Sequence, residues 1–359
     1  MRAPRLAPAL LCALAAWALM GGCGGSSDGG ESTSAPGGTA ASRPAPPKSA
    51  FPSPEGRSLR EVLKAADARA EVLVEPAAVA FYPGKNRYPF EIVDKDRKPI
   101  SDVEVALYYA KVPEPKAGAK SRSGNLGPIA KAETQALDEP AMGPFPAKIE
   151  SLATKPKFSA DSTLEDPDAA RVVYSTELTF PGDGEWRLAA IIEEDGETKG
   201  ALLPGVVVGE FQRVPKPGQK APVIHTPTPQ DAGGKLSKIT TRMPPDSQNK
   251  VDYADALGRE PIVLLFATPQ FCQSRVCGPV VDVAEQAKSE YGDKAAFIHM
   301  EIYNENDPGK GVRPQVRAFH LPSEPWLFAI DRRGVVRDAV EGAFGLELMH
   351  EAVDEAIAR

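Results

Sequence analysis

The most reactive side chains of this chain are two cysteines, Cys272 and Cys277, with four residues between them. They follow the apolar run PIVLLF and precede a run with the spacing of an amphipathic helix. Two thiols this close in sequence can exchange with other disulfides, bind a soft metal ion or form a permanent bridge. Residues five apart in a continuous helix point away from each other, so we expect 272–277 to be a loop or an unwound first turn.

Two further cysteines, Cys12 and Cys23, lie near the start of the chain. Arg2 and Arg5 precede the apolar run LAPALLCALAAWALM, which is short for a membrane-spanning helix and is followed by GGC. The segment resembles a bacterial lipoprotein signal peptide, residues 1–22. By that resemblance the chain is cut before Cys23, whose thiol then carries the lipid; the alternative is an ordinary secretory signal.

The resemblance implies a protein outside the cytoplasm, anchored to a membrane of the bacterial envelope by lipid. Cys272 and Cys277 would then be the two remaining thiols in an oxidising compartment, and we expect them to pair with each other. The net charge of −7 argues against a nucleic-acid partner, which requires a basic surface.

The chain between the signal and the cysteine pair predicts three kinds of segment. Residues 23–57 are rich in Gly, Ser and Pro and predict a disordered tether. The sequence SLREVLKAADARA has apolar residues at helical spacing, with Ser58 as a candidate N-cap. From residue 71, short alternating runs separated by turn sequences such as PGDG and EEDGE predict an antiparallel sandwich.

The run TFPGDGEWRLAAII resembles the late strands of immunoglobulin-like domains in bacterial envelope proteins. Residues 58–213 are therefore predicted to be a short helix plus an immunoglobulin-like β-sandwich. Weak periodicity near 112–168 predicts a long insertion in it. Because residues 71–213 contain no cysteine and no histidine, we expect a binding or spacer module rather than an enzyme.

After the Pro-rich joint VPKPGQKAPVIHTPTPQD, residues 214–359 alternate between strand and helix patterns. PIVLLFA predicts a strand covered on both faces, and VVDVAEQAKSEYG predicts an amphipathic helix capped by Gly292. AAFIHMEIY predicts a second strand, PWLFAIDRRGVVRDAVEG a hairpin, and LELMHEAVDEAIAR a closing helix.

This region resembles the thioredoxin-like superfamily, and within it the TlpA-like and peroxiredoxin-like branches. The resemblance is carried by GQKAP, by LGREPIVLLFAT before Cys272, and by SEPWLFAIDRRGVV. It implies that Pro325 is a cis-proline facing the cysteines. The expected fold class is thus multidomain, an immunoglobulin-like antiparallel β-sandwich followed by an α/β thioredoxin-like domain.

The sequence also departs from the family pattern. Thioredoxins have two residues between their cysteines rather than four, and in VCGPV the place of a second cysteine is taken by Val280. Leu265 stands where thioredoxins bury a carboxylate. Peroxiredoxins with this cysteine spacing carry a hydroxyl residue three positions before the attacking cysteine, where this chain has Pro269, next to Thr268.

The leading functional hypothesis is a membrane-anchored thiol–disulfide oxidoreductase acting on extracytoplasmic thiol and disulfide proteins. Cys272 is the predicted attacking thiol and Cys277 the resolving thiol; if VCGPV begins the helix, the roles are exchanged. Glu324, beside Pro325, is expected to place near the site a carboxylate that disfavours the thiolate. No cofactor or metal is expected.

Three alternatives remain open at this stage. The first is a non-catalytic scaffold lipoprotein with a structural disulfide, and the second is a thiol peroxidase. The third is a Sco-like copper chaperone, because thiolates suit Cu(I). In that family the metal-binding histidine falls near the position of Glu324, rather than at His320.

The lipid anchor is tested by Cys23→Ala. We expect this substitution to move the protein from the membrane fraction to the soluble fraction, because acylation needs the thiol. Immunoblots of separated fractions measure the shift, with Cys12→Ala as the matched control. An unchanged membrane share in Cys23→Ala would locate the anchor elsewhere.

Overall fold

A computed structural model describes residues 41–114, 134–165, 169–272 and 275–358. The predicted signal peptide, Cys23, the first part of the tether and the middle of the predicted insertion lie outside the described residues. From Thr39 to Arg359 the chain forms one compact unit. In the part that the structure describes, no helix combines the length and the apolar character needed to cross a membrane.

The first helix, α1, spans Leu59–Lys64 and begins where the sequence predicts. The Ser58 hydroxyl accepts from the backbone N–H of Glu61, and the Glu61 carboxylate accepts from the backbone N–H of Ser58. This capping box satisfies donors that the first helical turn leaves unpaired. Leu59 and Val62 are buried against the following sheet.

The region after α1 folds into two packed sheets, which are antiparallel except for a short parallel pair between β1 and β9. One sheet has the order β2-β3-β7-β6, formed by Val72–Pro76, Gly84–Asp94, Val172–Phe180 and Lys148–Ser151. The other has the order β1-β9-β8-β4-β5, formed by Ala68–Arg69, Glu197–Leu202, Gly184–Glu194, Glu104–Lys111 and Met142–Pro146, with β10, Val206–Val208, paired to β8.

The core of this sandwich is aromatic. On β7 the side chains of Tyr174, Leu178 and Phe180 face the opposite sheet, as the alternating sequence predicts. Trp186 packs edge-on against Tyr109 at 5.4 Å between ring centroids. The hairpins predicted at PGDG and EEDGE connect β7 to β8 and β8 to β9.

Two segments differ from the sequence-based expectation. Within the predicted insertion, β5 and β6 are strands of the two sheets, although MGPFPAKIES lacks regular alternation. Within the predicted tether, Arg43 exchanges two backbone hydrogen bonds with Ile149 at the edge of β6, and Phe51 is buried. Pairing with the sandwich therefore orders stretches whose own sequence carries little periodic signal.

The last third of the chain forms a four-stranded sheet in the order β12-β11-β13-β14, formed by Ala296–Met300, Ile262–Phe266, Trp326–Ile330 and Val336–Glu341. β11 is parallel to β12 and antiparallel to β13. The remaining helices are α2 to α6, at Asp161–Leu164, Tyr253–Ala256, Cys277–Tyr291, Pro314–Ala318 and Leu346–Ile357.

Both faces of this sheet are covered, so all five residues of β11 are buried. Helices α4 and α6 cover one face, while α3 and α5 cover the other. The described residues thus form a mixed α/β protein with several antiparallel strand pairs, a β-rich part followed by an α/β part.

The outer face of the sheet β2-β3-β7-β6 packs on the α/β part. Arg87 on β3 donates to the carbonyl of Ala343 at 2.6 Å and to the Glu150 carboxylate at 3.1 Å. Val173 of β7 lies in the same apolar cluster as Cys277. The boundary predicted between residues 213 and 214 lies between the last strand of the sandwich and the first strand of the four-stranded sheet. Independent folding of the two parts stays a prediction.

The contact made by Arg87 can be tested by comparing Arg87→Leu with Lys85→Leu on the same strand. Arg87→Leu removes the guanidinium partner of the Glu150 carboxylate, whose side chain is only 6% exposed, and leaves it Ser175 and Lys148. We expect a loss of about 2 kcal/mol in unfolding free energy. Lys85 and Glu177 form an exposed pair, so Lys85→Leu should cost below about 1 kcal/mol. Urea unfolding measures both, and equal losses would contradict a stabilising role for Arg87.

Candidate functional site

The two cysteines lie between the buried central strand and helix α4. β11 ends at Phe266, Cys272 lies in the following loop, and α4 begins at Cys277. The Cys272 side chain packs against the cluster that contains Cys277, and the two thiols lie within interaction range of each other. Cys272 is partly buried and Cys277 is fully buried. They are not joined by a disulfide bond, so the predicted pairing stays a prediction.

Glu324 and Pro325 lie beside this pair. The peptide bond between them is cis, the isomer that the family resemblance implied for Pro325. The Cys277 thiol points at Oε2 of Glu324 over 3.9 Å. The backbone N–H of Thr268, just beyond β11, lies near both Cys277 and Glu324 and acts to lower the pKa of each. The carboxyl group expected next to the cysteines is therefore in place.

Burial controls the ionisation of this group. It raises the pKa of the Cys277 thiol well above the usual range, and Cys272 and Glu324 raise it further. Burial also raises the pKa of Glu324 to about 9, with Cys272 and Glu301 adding to the effect. A helix N-terminus favours a thiolate by roughly 1 kcal/mol, which is smaller than the desolvation of a fully buried sulfur. Cys277 therefore stays protonated near neutral pH, and Cys272 is the better candidate for attack.

The aromatic side chains of Phe271 and Tyr303 lie at the same loop. Their rings pack edge-on with centroids 6.3 Å apart. Burial raises the pKa of the Tyr303 phenol, and Glu324, Cys272 and Cys277 add to that rise. Tyr303 therefore lies close enough to all three groups for their charges to affect it. Nothing in the sequence predicted that proximity.

The sandwich also reaches the cysteines. The backbone N–H of Ala170 donates to the carbonyl of Arg275 at 3.4 Å, in the segment between the two cysteines. At Gly278, one residue into α4, a Cβ would lie 2.9 Å from Oγ1 of Thr163, so the absence of a side chain lets α2 approach the cysteine helix. Two parts of the chain that are distant in sequence thus build one site.

A cavity of about 260 Å³ opens beside Cys272. Both parts of the chain line it. The sandwich contributes Ser162, Thr163 and Ala169, and the α/β part contributes Pro269, Gln270, Cys272, Arg275, Gly278 and Pro279. Its volume lies just below the usual range for ligand pockets, so it could hold a small group such as one side chain of a partner.

Glu91 on β3 is a second carboxyl group near Cys272. Burial raises its pKa to about 8, and Cys272 and Glu75 add to the rise. Its Oε1 is buried without a hydrogen-bond partner among the described residues. Sequence reasoning missed this residue, because a glutamate on a strand of another sheet carries no local signal of proximity to a cysteine.

A buried ion pair contacts the end of β11, where the loop that bears Cys272 begins. Nδ1 of His299 contacts Oδ2 of Asp246 at 2.9 Å, and Nε2 contacts the carbonyl of Ala267 at 3.1 Å. Both partners accept hydrogen bonds, so both ring nitrogens carry protons and the imidazole is cationic. Although burial alone would lower the pKa of His299, the Asp246 carboxylate raises it to about 9.

A second connection holds the loop that bears Cys272. The Glu301 carboxylate accepts from the backbone N–H and the hydroxyl of Thr241, at 2.5 and 2.7 Å. Oγ1 of Thr241 accepts from the backbone N–H of Gln270 at 3.2 Å. The segment that follows the long Pro-rich joint therefore helps to position the cysteine loop.

Two of the other histidines are engaged with carboxylates away from the cysteines, His225 with Asp252 and His350 with Glu290. Over the described ranges, no group of three or more His, Cys, Asp or Glu side chains is arranged to hold a metal ion.

No protein-family model and no curated protein matches this chain. The functional conclusions below therefore come from the chemistry and geometry of the site.

The ionisation of His299 predicts how the unfolding free energy depends on pH. Its pKa in the folded protein, about 9, lies above the ordinary 6.5, so the stability gained from protonation is complete below about pH 6.5 and is lost as pH rises through about 9. We expect the difference in unfolding free energy between the protein and His299→Gln to shrink as pH rises from about 6.5 to about 9 and to level off above pH 9. Urea unfolding across pH checks it, with His350→Gln as the control.

The same expectation can be checked directly by NMR. The ring carbons of His299 should report a cationic imidazole at pH 7 with a midpoint near 9. A midpoint below 7 would contradict the buried ion pair with Asp246.

Proposed function

We propose that this protein is a thiol–disulfide oxidoreductase of thioredoxin-like type, in which Cys272 attacks and Cys277 resolves. The observation that carries the proposal is the contact between a partly buried and a fully buried thiol, next to cis-Pro325. Strand order supports it: β11 and β12 are parallel with α4 between them in sequence, and the hairpin β13–β14 precedes α6. That is the strand, helix, strand, hairpin, helix order of thioredoxin-like proteins.

The reaction in the reducing direction has two steps. The Cys272 thiolate attacks one sulfur of a substrate disulfide, forming a mixed disulfide while the substrate S–S bond breaks and the other sulfur leaves. Cys277 then loses its proton and attacks the Cys272 sulfur. The product is a Cys272–Cys277 disulfide and a second free substrate thiol, so the protein gives up two electrons and the substrate gains them.

The second step requires a proton acceptor for Cys277, and the ionised form of Glu324 is suited to that role. Its Oε2 lies 3.9 Å from the Cys277 sulfur. Burial raises the pKa of both groups, so Glu324 must first release its own proton before it can take the proton of Cys277. Leu265 on the central strand offers no such group, and Glu324 supplies a carboxyl from the loop before β13.

We further propose that the protein acts outside the cytoplasm on thiol-bearing or disulfide-bearing proteins of the bacterial envelope. The short apolar segment followed by GGC supports a lipid anchor at Cys23. The two packed antiparallel sheets support an immunoglobulin-like sandwich, and its contacts with the loop and helix of the cysteines suggest that it takes part in substrate binding.

Trapping of a partner tests the roles of the two cysteines. We expect Cys277→Ala to accumulate a mixed disulfide through Cys272 with an insulin substrate, because the resolving thiol is absent. Cys272→Ala should trap little, since Cys277 is buried and protonated. Non-reducing gels and peptide mass spectrometry identify the adduct.

The double variant, Cys272→Ala with Cys277→Ala, is the matched control. The reverse pattern would assign the attack to Cys277. No trapping in either single variant, together with a pair that thioredoxin-strength reductants leave oxidised, would make the cysteines a structural bridge and overturn the proposal.

A further inference from the structure

One face of strand β3 leads from the sandwich to the cysteine site. Side chains two apart on a strand share a face, so Arg87, Pro89 and Glu91 point the same way. Arg87 donates to the carbonyl of Ala343. Pro89 lies against Gly342, where a Cβ would come within 2.9 Å of it, and the backbone N–H of Gly342 donates to the carbonyl of Pro325 at 2.9 Å. Glu91 is the next residue on this face, about 7 Å beyond Pro89.

The neighbouring strand β7 places Glu91 on the cysteine side of this interface. Phe90 pairs with Tyr174, which sets Glu91 beside Val173. Val173 is fully buried in the cluster that contains Cys277, and Cys272 packs against that cluster. The Glu91 side chain therefore faces the interface between the sandwich and the α/β part, near enough to Cys272 for that sulfur to affect its ionisation.

The Glu91 carboxyl has no committed task within the fold. Its Oε1 is buried and unpartnered among the described residues, which is costly for a group that only stabilises structure. Two ionisable groups act on Glu91, namely Glu75 and Cys272. Glu75 lies opposite Glu91 on β2 and forms an ion pair with Arg97. Arg275 lines the cavity beside Cys272. Burial raises the pKa of Glu91 to about 8, so it carries a proton at neutral pH.

We propose that Glu91 is the general acid of the dithiol reaction, protonating the substrate sulfur that leaves when Cys272 attacks. This inference rests on the proposed oxidoreductase function. The bond formed joins Cys272 to one substrate sulfur, the bond broken is the substrate disulfide, and the Glu91 proton passes to the departing thiolate. The product is a neutral thiol and a Glu91 carboxylate, which solvent protons restore. The sandwich thereby contributes a catalytic residue to the site.

Such an acid matters most for poor leaving groups. An aliphatic thiol has a pKa near 8.5 and leaves slowly as a thiolate, whereas a thiol of low pKa leaves readily without a proton. A general acid is most effective when its own pKa lies near the working pH. Removal of the acid should therefore slow exchange with aliphatic disulfides selectively.

The experiment compares Glu91→Gln with Glu75→Gln in the reduced full-length protein at pH 7. Glu75 is the matched control because it faces Glu91 across β2 and β3. Two uncharged disulfides are used: 2-hydroxyethyl disulfide, with an aliphatic leaving group, and 4,4′-dithiodipyridine, with an activated one. We expect Glu91→Gln to slow reaction with the first by about tenfold or more and to change the second by less than about twofold. Glu75→Gln should change neither.

Each outcome decides. Equal slowing with both disulfides, or no slowing with either, overturns the role of Glu91 while leaving the oxidoreductase proposal intact. An unmodified protein that reacts with neither disulfide removes the proposed function and this inference together. Glu91→Asp keeps a carboxylic acid and should therefore recover part of the rate with the aliphatic disulfide. If Glu91→Asp is as slow as Glu91→Gln, the defect comes from a change in structure and not from loss of the acid.

Discussion

The packing of the sandwich against the N-terminal turn of helix α4 is the contact on which the candidate site depends. Asp282 in this helix accepts from Nε of Arg242 at 2.8 Å and from the backbone N–H of Ala160 at 3.0 Å. Arg242 also donates to the carbonyl of Phe158. A buried ion pair is tolerated only when such additional hydrogen bonds satisfy both charges. The pair therefore connects the sandwich, the cysteine helix and the segment that follows the Pro-rich joint.

Exclusion of water follows from that packing, and it determines the chemistry. Cys277, the first residue of α4, is fully buried between the four-stranded sheet and the sandwich. Its thiol and the neighbouring Glu324 therefore both favour their neutral forms. Cys272 lies at the boundary, beside the cavity that both parts line. One sulfur is thus partly accessible and the other is buried, and in the proposed function the first meets the substrate while the second meets only its partner cysteine.

Carboxyl groups distinguish this dithiol from a simple pair of cysteines. Glu324 approaches from the cis-proline loop and Glu91 from the sandwich, while Glu301 supports the loop through Thr241. In the proposed reaction, the protonated carboxyls of Glu324 and Glu91 can release and take back protons as the thiols are oxidised and reduced. The buried cation of His299, paired with Asp246, offsets part of the negative charge that would otherwise collect behind the loop.

Local patterns in the sequence were sufficient for the elements that carry the cysteines. The capping box at Ser58, the buried run of β11, the helix that ends at Gly292 and the hairpin after Pro325 each follow from spacing within a few residues. The cysteine pair was identifiable for the same reason, whereas Glu324 was expected beside it only through the resemblance that implied a cis-proline at Pro325.

Tertiary structure alone decided what surrounds the cysteines. The strands at 142–151 form because neighbouring strands pair with them, and Glu91, Thr163, Asp246 and His299 reach the site from segments far apart in the chain. Such contacts leave no periodic trace, because a side chain that meets a distant partner needs no particular neighbour in sequence. The sequence by itself therefore determined which residues could perform thiol chemistry and which elements hold them. The burial and the carboxyl neighbours that set their reactivity depended on how two separately patterned regions pack together.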